Sequence, residues 1–231
     1  DIWVNGSKLL SDFKYRTATP FIDVPSNLVL NIGVAPSPSS SPADIIATFP
    51  VTLATGEKYV ALATGLVGSA TTPFGLKIIT PAKEQSGSTG TVDFAVSHGS
   101  TDAPAVDVIA RGVGKLVDNA AYGDVTSYLS VPANNYVLDV TPAGSSTVVA
   151  SFAANLGTLG GGAAVVFASG FLAPAGTDPK FGLFAALANG TVLEFPAVGN
   201  ARLQVIHNSA SPTVDIWVNG SKLLSDFKYR T

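Results

Sequence analysis

Apolar and polar residues alternate in short runs along almost the whole chain. No segment of ten or more residues shows the 3.6-residue apolar stripe of a helix. Ile2 and Val4 fall on one side of an extended segment and Asp1, Trp3 and Asn5 on the other, so residues 1–6 read as a strand. Asn5-Gly6 closes a hairpin, because both residues accept positive φ. Residues 8–16 form its more polar return strand. Further strands are expected at 21–25, 28–34, 44–53, 58–66 and 74–80. The stretch 36–42, rich in Ser and Pro, reads as a loop without core-forming content. The second half repeats the layout, with strands expected at 92–96, 106–110, 124–131, 136–141, 147–153, 163–171, 181–187 and 191–195, and another at 202–207. Seven or eight short strands per ~100 residues, with turn signals every ~8–12, predict an all-β protein of antiparallel, immunoglobulin-like β-sandwiches.

The order of these elements is itself repeated. Residues 215–231 reproduce residues 1–17 letter for letter. The chain therefore reads as one full period of a tandem array plus the start of the next, and neither terminus is expected to be a natural end. A fainter repeat lies inside the period. The stretch from His98 to Gly112 runs through a Ser/Pro turn, Val106-Asp107, an apolar strand and Gly112; His207 to Gly220 runs the same way through Val214-Asp215. Val24-Pro25 matches Val131-Pro132, Gly65-Leu66 matches Gly170-Phe171, and Phe74-Gly75-Leu76 matches Phe181-Gly182-Leu183, so that, with the His motifs, the separations run from 105 to 109 residues. Two homologous domains per period follow: a first at 1–84, a short polar linker at 85–90, a second at 91–198, and the start of the next repeat at 199–231. The first domain lacks an opening strand, and its equivalent is 201–214. An apolar strand missing from a sandwich edge leaves backbone donors and acceptors unpaired. The expected joints are a covalent predecessor in a tandem array, or a strand donated by a separate subunit.

Composition narrows the function classes. Hydrophobic residues make up 46% and charged ones 13%, ample for cores. A net charge of −3 without a basic run argues against nucleic acid or an anionic membrane surface, and no apolar run approaches the ~18 residues of a membrane span. Cys is absent, which removes disulfides, thiolate metal sites and Cys nucleophiles together. Ser, Thr, Ala, Gly and Val richness with few charges suits an exported, cell-surface protein.

Candidate chemistry is sparse. His98 and His207 occupy equivalent positions on core faces, where a hydrogen-bonded capping role is the ordinary one. Neither has a nucleophile elbow nearby, and one His and one Asp per domain fall short of a metal's ligand set. The glycine clusters lack a phosphate-binding context. No enzyme activity, cofactor or metal is expected. Asn5, Asn189 and Asn219 each begin an Asn-Gly-Ser/Thr triplet, which reads both as a glycosylation sequon and as a plain hairpin turn. Trp3 and its copy Trp217 are more informative. If Ile2 and Val4 face the core, Trp3 faces outward, toward a neighbouring domain or subunit; the alternatives are a core that lies on the Trp face, or a strand buried on both. Ile109 is the apolar counterpart in the second domain. Leu203, Val205, Ile216 and Val218 complete the expected interface set.

At the His-turn-Val-Asp segments, His98 to Gly112 and His207 to Gly220, the chain resembles the bacterial and archaeal domain of unknown function 4397. The resemblance covers both domains, implies secreted or cell-surface tandem β-sandwiches, and brings no catalytic residues. The expected role is a structural repeat unit of an extracellular filament, fibre or stalk, whose partner is itself. The alternative is a cell-surface adhesin or carbohydrate-binding module that contacts surface glycans.

Overall fold

The computed structural model describes residues 1–199, 201–218 and 221–230. Contacts divide the chain into two units, Asp1–Val198 and Gly199–Thr231. Among the described residues there is no α-helix, and one 3-10 turn at Pro42–Asp44 is the sole helical element. In the first half, β1 (Ile2–Val4), β2 (Ser7–Leu10), β3 (Val29–Val34) and β4 (Ala47–Thr52) form an antiparallel sheet in the order β2-β1-β3-β4. The next strands, β5 (Val60–Thr64) and β6 (Gly75–Ile79), pair only with each other.

The second half begins with β7 (Thr91–His98), β8 (Val106–Ala110), β9 (Gly114–Ala120), β10 (Leu129–Pro132) and β11 (Asn135–Pro142). It continues with β12 (Ala150–Asn155), β13 (Ala163–Ser169), β14 (Gly182–Leu187) and β15 (Val192–Phe195). Its sheets run β12-β11-β8-β9 and β10-β7-β13-β14-β15. Val108, Ala110, Leu138 and Val140 from the four-stranded sheet meet Phe94, Val166 and Leu183 from the five-stranded one in a single apolar core. In the 199–231 unit, β16 (Val214–Val218) pairs with β17 (Ser221–Phe227).

The two halves share a plan. The order β9-β8-β11-β12 is the order β2-β1-β3-β4 displaced along the chain. Thr64 faces Gly75 across β5–β6 as Ser169 faces Gly182 across β13–β14. Gly65 and Gly170 follow these strands with φ of +82° and +87°. A Cβ there would stand 2.1 Å from the Pro73 carbonyl oxygen or 2.2 Å from that of Lys180, so only glycine lets the chain turn this close to its neighbour.

Four expectations change. The sheets are not wholly antiparallel: β7 and β13 run parallel. The reason is topological, since the opening strand inserts between β10 and β13, and the chain reaches β13 only after building the opposite sheet. The return strand expected over 8–16 stops at Leu10, and Asp12 turns away at φ +50°. Residues 114–120, with little alternation in sequence, form β9. Neither 21–25 nor 202–207 is a strand.

Candidate functional site

The loss of the strand at 21–25 has a local cause. Its counterpart, β10, is held by antiparallel pairing to β7, with Leu129 opposite Phe94 and Val131 opposite Val92. No strand of residues 1–198 takes the place of β7 in the first half, so 21–25 has nothing to pair with and β5 keeps one edge unpaired. Burial follows. Val108, Ala110, Leu138 and Val140 are buried, whereas their counterparts Ile2, Val4, Ile32 and Val34 are only half-buried. Val166 and Ala168 are buried; their counterparts Ala61 and Ala63 are exposed, as are Ile22 and Val24. The first half thus presents an open apolar sheet edge with the backbone groups of β5 along it, a feature that sheets ordinarily cover. Sequence alternation marks each of these residues as apolar, but not which of them would lack a cover.

The strand that would fit, 202–207, lies in the other unit without ladder partners. Leu203 and Ile206 there are 72% and 76% exposed, and Val205 is half-buried. A run of alternating residues needs a second strand to satisfy its backbone, and here none pairs with it.

The Val-Asp motif serves hairpin construction. The Asp107 carboxylate is buried and accepts from Lys115 Nζ at 2.8 Å, Asn119 N at 2.7 Å and Gly144 N at 3.2 Å. The Lys115 ammonium, then the Asn119 amide, hold its pKa down at about 2. Asp1 repeats this: it accepts from Lys8 Nζ at 2.9 Å, Asp12 N at 2.8 Å and Ser39 N at 2.8 Å. Asp215 pairs with Lys222 at 2.6 Å and accepts from Asp226 N at 3.0 Å; the Lys222 ammonium lowers its pKa. Asp12, Asn119 and Asp226 all take φ +50°, so each carboxylate caps the same left-handed bend. The Lys seven or eight residues after each Asp was legible in the sequence as a spacing, yet alternation alone did not select it.

Trp3 does lie on the face opposite Ile2 and Val4, but it does not face a neighbour. It is 6% exposed, covered by the 36–42 loop of its own domain, and Nε1 donates to Ser39 Oγ at 3.0 Å. That loop, expected to carry no core content, places Ser39 under the sheet and stitches Asp1 and Trp3 together; Lys8 donates to the Ser39 carbonyl as well. Trp217, identical in local sequence, is 58% exposed. Ile216 and Ile109 are half-buried and Val218 is exposed. In dilute solution, where single chains prevail, replacing Trp217 with Phe should therefore leave a blue-shifted, acrylamide-protected emission from Trp3, and Trp3→Phe a red-shifted, quenchable one from Trp217. Equal quenching of the two variants would contradict this difference in burial.

His98 is buried, and its Nε2 donates to the Pro104 carbonyl at 3.1 Å, while Nδ1 is buried without a partner. His207 Nε2 meets the Pro212 carbonyl at 2.9 Å. Both rings brace the turn before the Val-Asp strand. Asn5 and Asn189 are exposed in turns, where Asn5 Oδ1 accepts from Asn31 N at 2.9 Å and Asn189 Oδ1 from Thr191 N at 3.0 Å. Asn219 lies outside the described residues.

The two halves meet through reciprocal contacts. Tyr15 OH lies 2.5 Å from Ser169 Oγ, and Tyr122 OH lies 3.4 Å from Thr64 Oγ1. Tyr122 is the counterpart of Tyr15 and Ser169 that of Thr64, so the seam is isologous, each half offering the same patch to the other. Arg16 fastens it, with its guanidinium 4.1 Å from the Phe184 ring centroid while donating to the carbonyls of Ser169 and Lys180. The polar stretch 85–90 is tied down as well: Ser86 N donates to Gly161 O at 2.9 Å and Ser86 Oγ to Asp93 at 2.8 Å. These contacts consume one face of each half and leave the open edge of the first untouched.

A family model described as a domain of unknown function (DUF4397) matches residues 1–109 and again 92–210. No curated protein and no solved structure matches the chain.

Proposed function

The chain belongs to the DUF4397 family, and from that footing we propose that it is a structural repeat unit of an extracellular filament, fibre or cell-surface stalk. Its partner is a neighbouring repeat or subunit, joined by tandem linkage or by β-strand complementation. One observation carries the reading: the first half lacks the strand that β7 supplies in the second, while an unpaired apolar segment of matching sequence stands at 202–207, just before a second copy of residues 1–17. The isologous seam supports the same role, since it fixes two sandwiches into one stiff element.

Electron microscopy of the native material, with denaturing electrophoresis of the same sample after boiling, tests this. Filaments with a ladder or a band far above 23.5 kDa point to tandem linkage. Filaments with a single band near that mass point to strand exchange. Native material that stays as dispersed particles at all concentrations would sink the structural reading.

A further inference from the structure

We propose that the open edge of the first half is filled by residues 202–207 of a second copy of this chain, which add to β5 as the missing central strand. The proposal rests on the filament reading and specifies its joint. In the second half, β7 lies parallel to β13 with His98 opposite Ala168 and Val96 opposite Val166. Ala63 and Ala61 are the counterparts of Ala168 and Val166, and His207 and Val205 those of His98 and Val96. The incoming strand therefore runs parallel to β5 with His207 opposite Ala63 and Val205 opposite Ala61.

The side chains agree with this register. Phe94 and Val96 point into the core beside β13; Leu203 and Val205 take those positions and cover the exposed Ala61 and Ala63. On the other side, Leu129 faces Phe94 and Ser130 faces Asp93. Their counterparts place Ile22 opposite Leu203 and Asp23 opposite Arg202, an apolar pair followed by an opposite-charge pair. Thr126 Oγ1 accepts from Val96 N at 2.9 Å. Thr19 occupies the same place in the first half and can receive the amide of Val205.

The exact repeat removes the obstacle to docking. After the incoming strand, the turn at 208–213 leads to residues 215–231, which need the place held by residues 1–17. The two sequences are identical, so one hairpin exchanges for the other without losing any contact that the 36–42 loop makes to Trp3 and Asp1. The strand 202–207 is then a net gain of apolar cover and backbone bonds. Donation between different ends of successive copies is heterologous, and it propagates as an open chain rather than closing. Docking within one molecule would consume the edge and leave no joint.

Single cysteines in the otherwise Cys-free 231-residue chain read the register directly. Chains carrying Ala61→Cys, mixed with chains carrying Val205→Cys and oxidised mildly, should give a disulfide-linked dimer on a non-reducing gel. Leu62→Cys, on the other face of β5, should give none with Val205→Cys. Sedimentation of the otherwise unchanged chain should show self-association, and Leu203→Asp with Val205→Asp should weaken it by about a hundredfold, with the circular dichroism spectrum unchanged. If the chain self-associates but Ala61→Cys and Val205→Cys never link, the strand assignment is wrong while the filament reading stands. If a chain carrying both cysteines closes only on itself at every concentration, the occupant is its own segment and the second-copy proposal is overturned. Absence of both linkage and self-association overturns the proposal and the filament reading together.

Discussion

Phe94→Ala should lower the thermal midpoint of the chain by roughly 10 °C, while Leu203→Ala, at the equivalent place in the repeat, should leave the midpoint of the dilute chain unchanged. Phe94 is buried in the middle of β7, between β10 and β13, and touches both sheets of the core. Truncating a buried Phe costs about 3–5 kcal/mol through lost transfer energy and a residual cavity. At about 2–4 °C per kcal/mol for a unit the size of Asp1–Val198, that is a displacement of about 6–20 °C. Leu203 is 72% exposed in a segment without ladder partners, and surface truncations of this kind stay within about 0.5 kcal/mol. Its effect should appear only as concentration rises, as weaker self-association in sedimentation. Thermal melts of the two variants at two concentrations check both halves of this expectation. An equal loss of midpoint for Leu203→Ala in dilute solution would mean that 202–207 is already packed within the single chain.

The second large effect concerns Asp107. Replacing it with Asn should lower the thermal midpoint at neutral pH and flatten the acid limb of the stability curve. In the folded chain this carboxylate has its pKa lowered from the usual 3.8 to about 2, first by the Lys115 ammonium and then by the Asn119 amide. A group with a depressed folded pKa stabilises the fold in full above its unfolded value, and the contribution is lost as pH falls through the folded value. The wild-type chain should therefore lose stability between about pH 4 and pH 2. The Asn variant cannot bind a proton there and lacks the charge that holds Lys115, so its deficit should be largest at pH 7 and shrink toward pH 2. Midpoints measured across this range give the answer. A deficit of constant size from pH 7 to pH 2 would show that shape, and not charge, is what the site requires.

Much of this organisation was legible along the chain. Alternation located β3 and β8, because a strand with one face in a core has a period of two, and short apolar runs located β11, β13 and β14, which are buried on both faces along much of their length. The duplicated motifs located the equivalence of the halves and the strand missing from the first, since homologous segments need the same partners. Residues with unusual backbone angles were partly legible too: Asn5-Gly6 closes its turn as its composition requires, with φ of 48° and 81°.

What the sequence could not decide is which faces are covered, because cover is supplied by residues far away in the chain. Trp3 and Trp217 share 17 residues of identical context, yet one lies beneath the 36–42 loop and the other is largely in solvent. Residues 21–25 and 129–132 share Val-Pro and an apolar pattern, yet only the second pairs, because only it has β7 beside it. The parallel course of β7 against β13, the reciprocal Tyr15 and Tyr122 contacts, and the stacking of Arg16 on Phe184 arise the same way. Alternation and motif equivalence are local properties that each segment carries with it, whereas pairing and burial belong to two segments at once. The chain by itself therefore determined its strands and its repeat; the tertiary structure decided which of those strands find a partner within residues 1–198 and which edge stays unpaired.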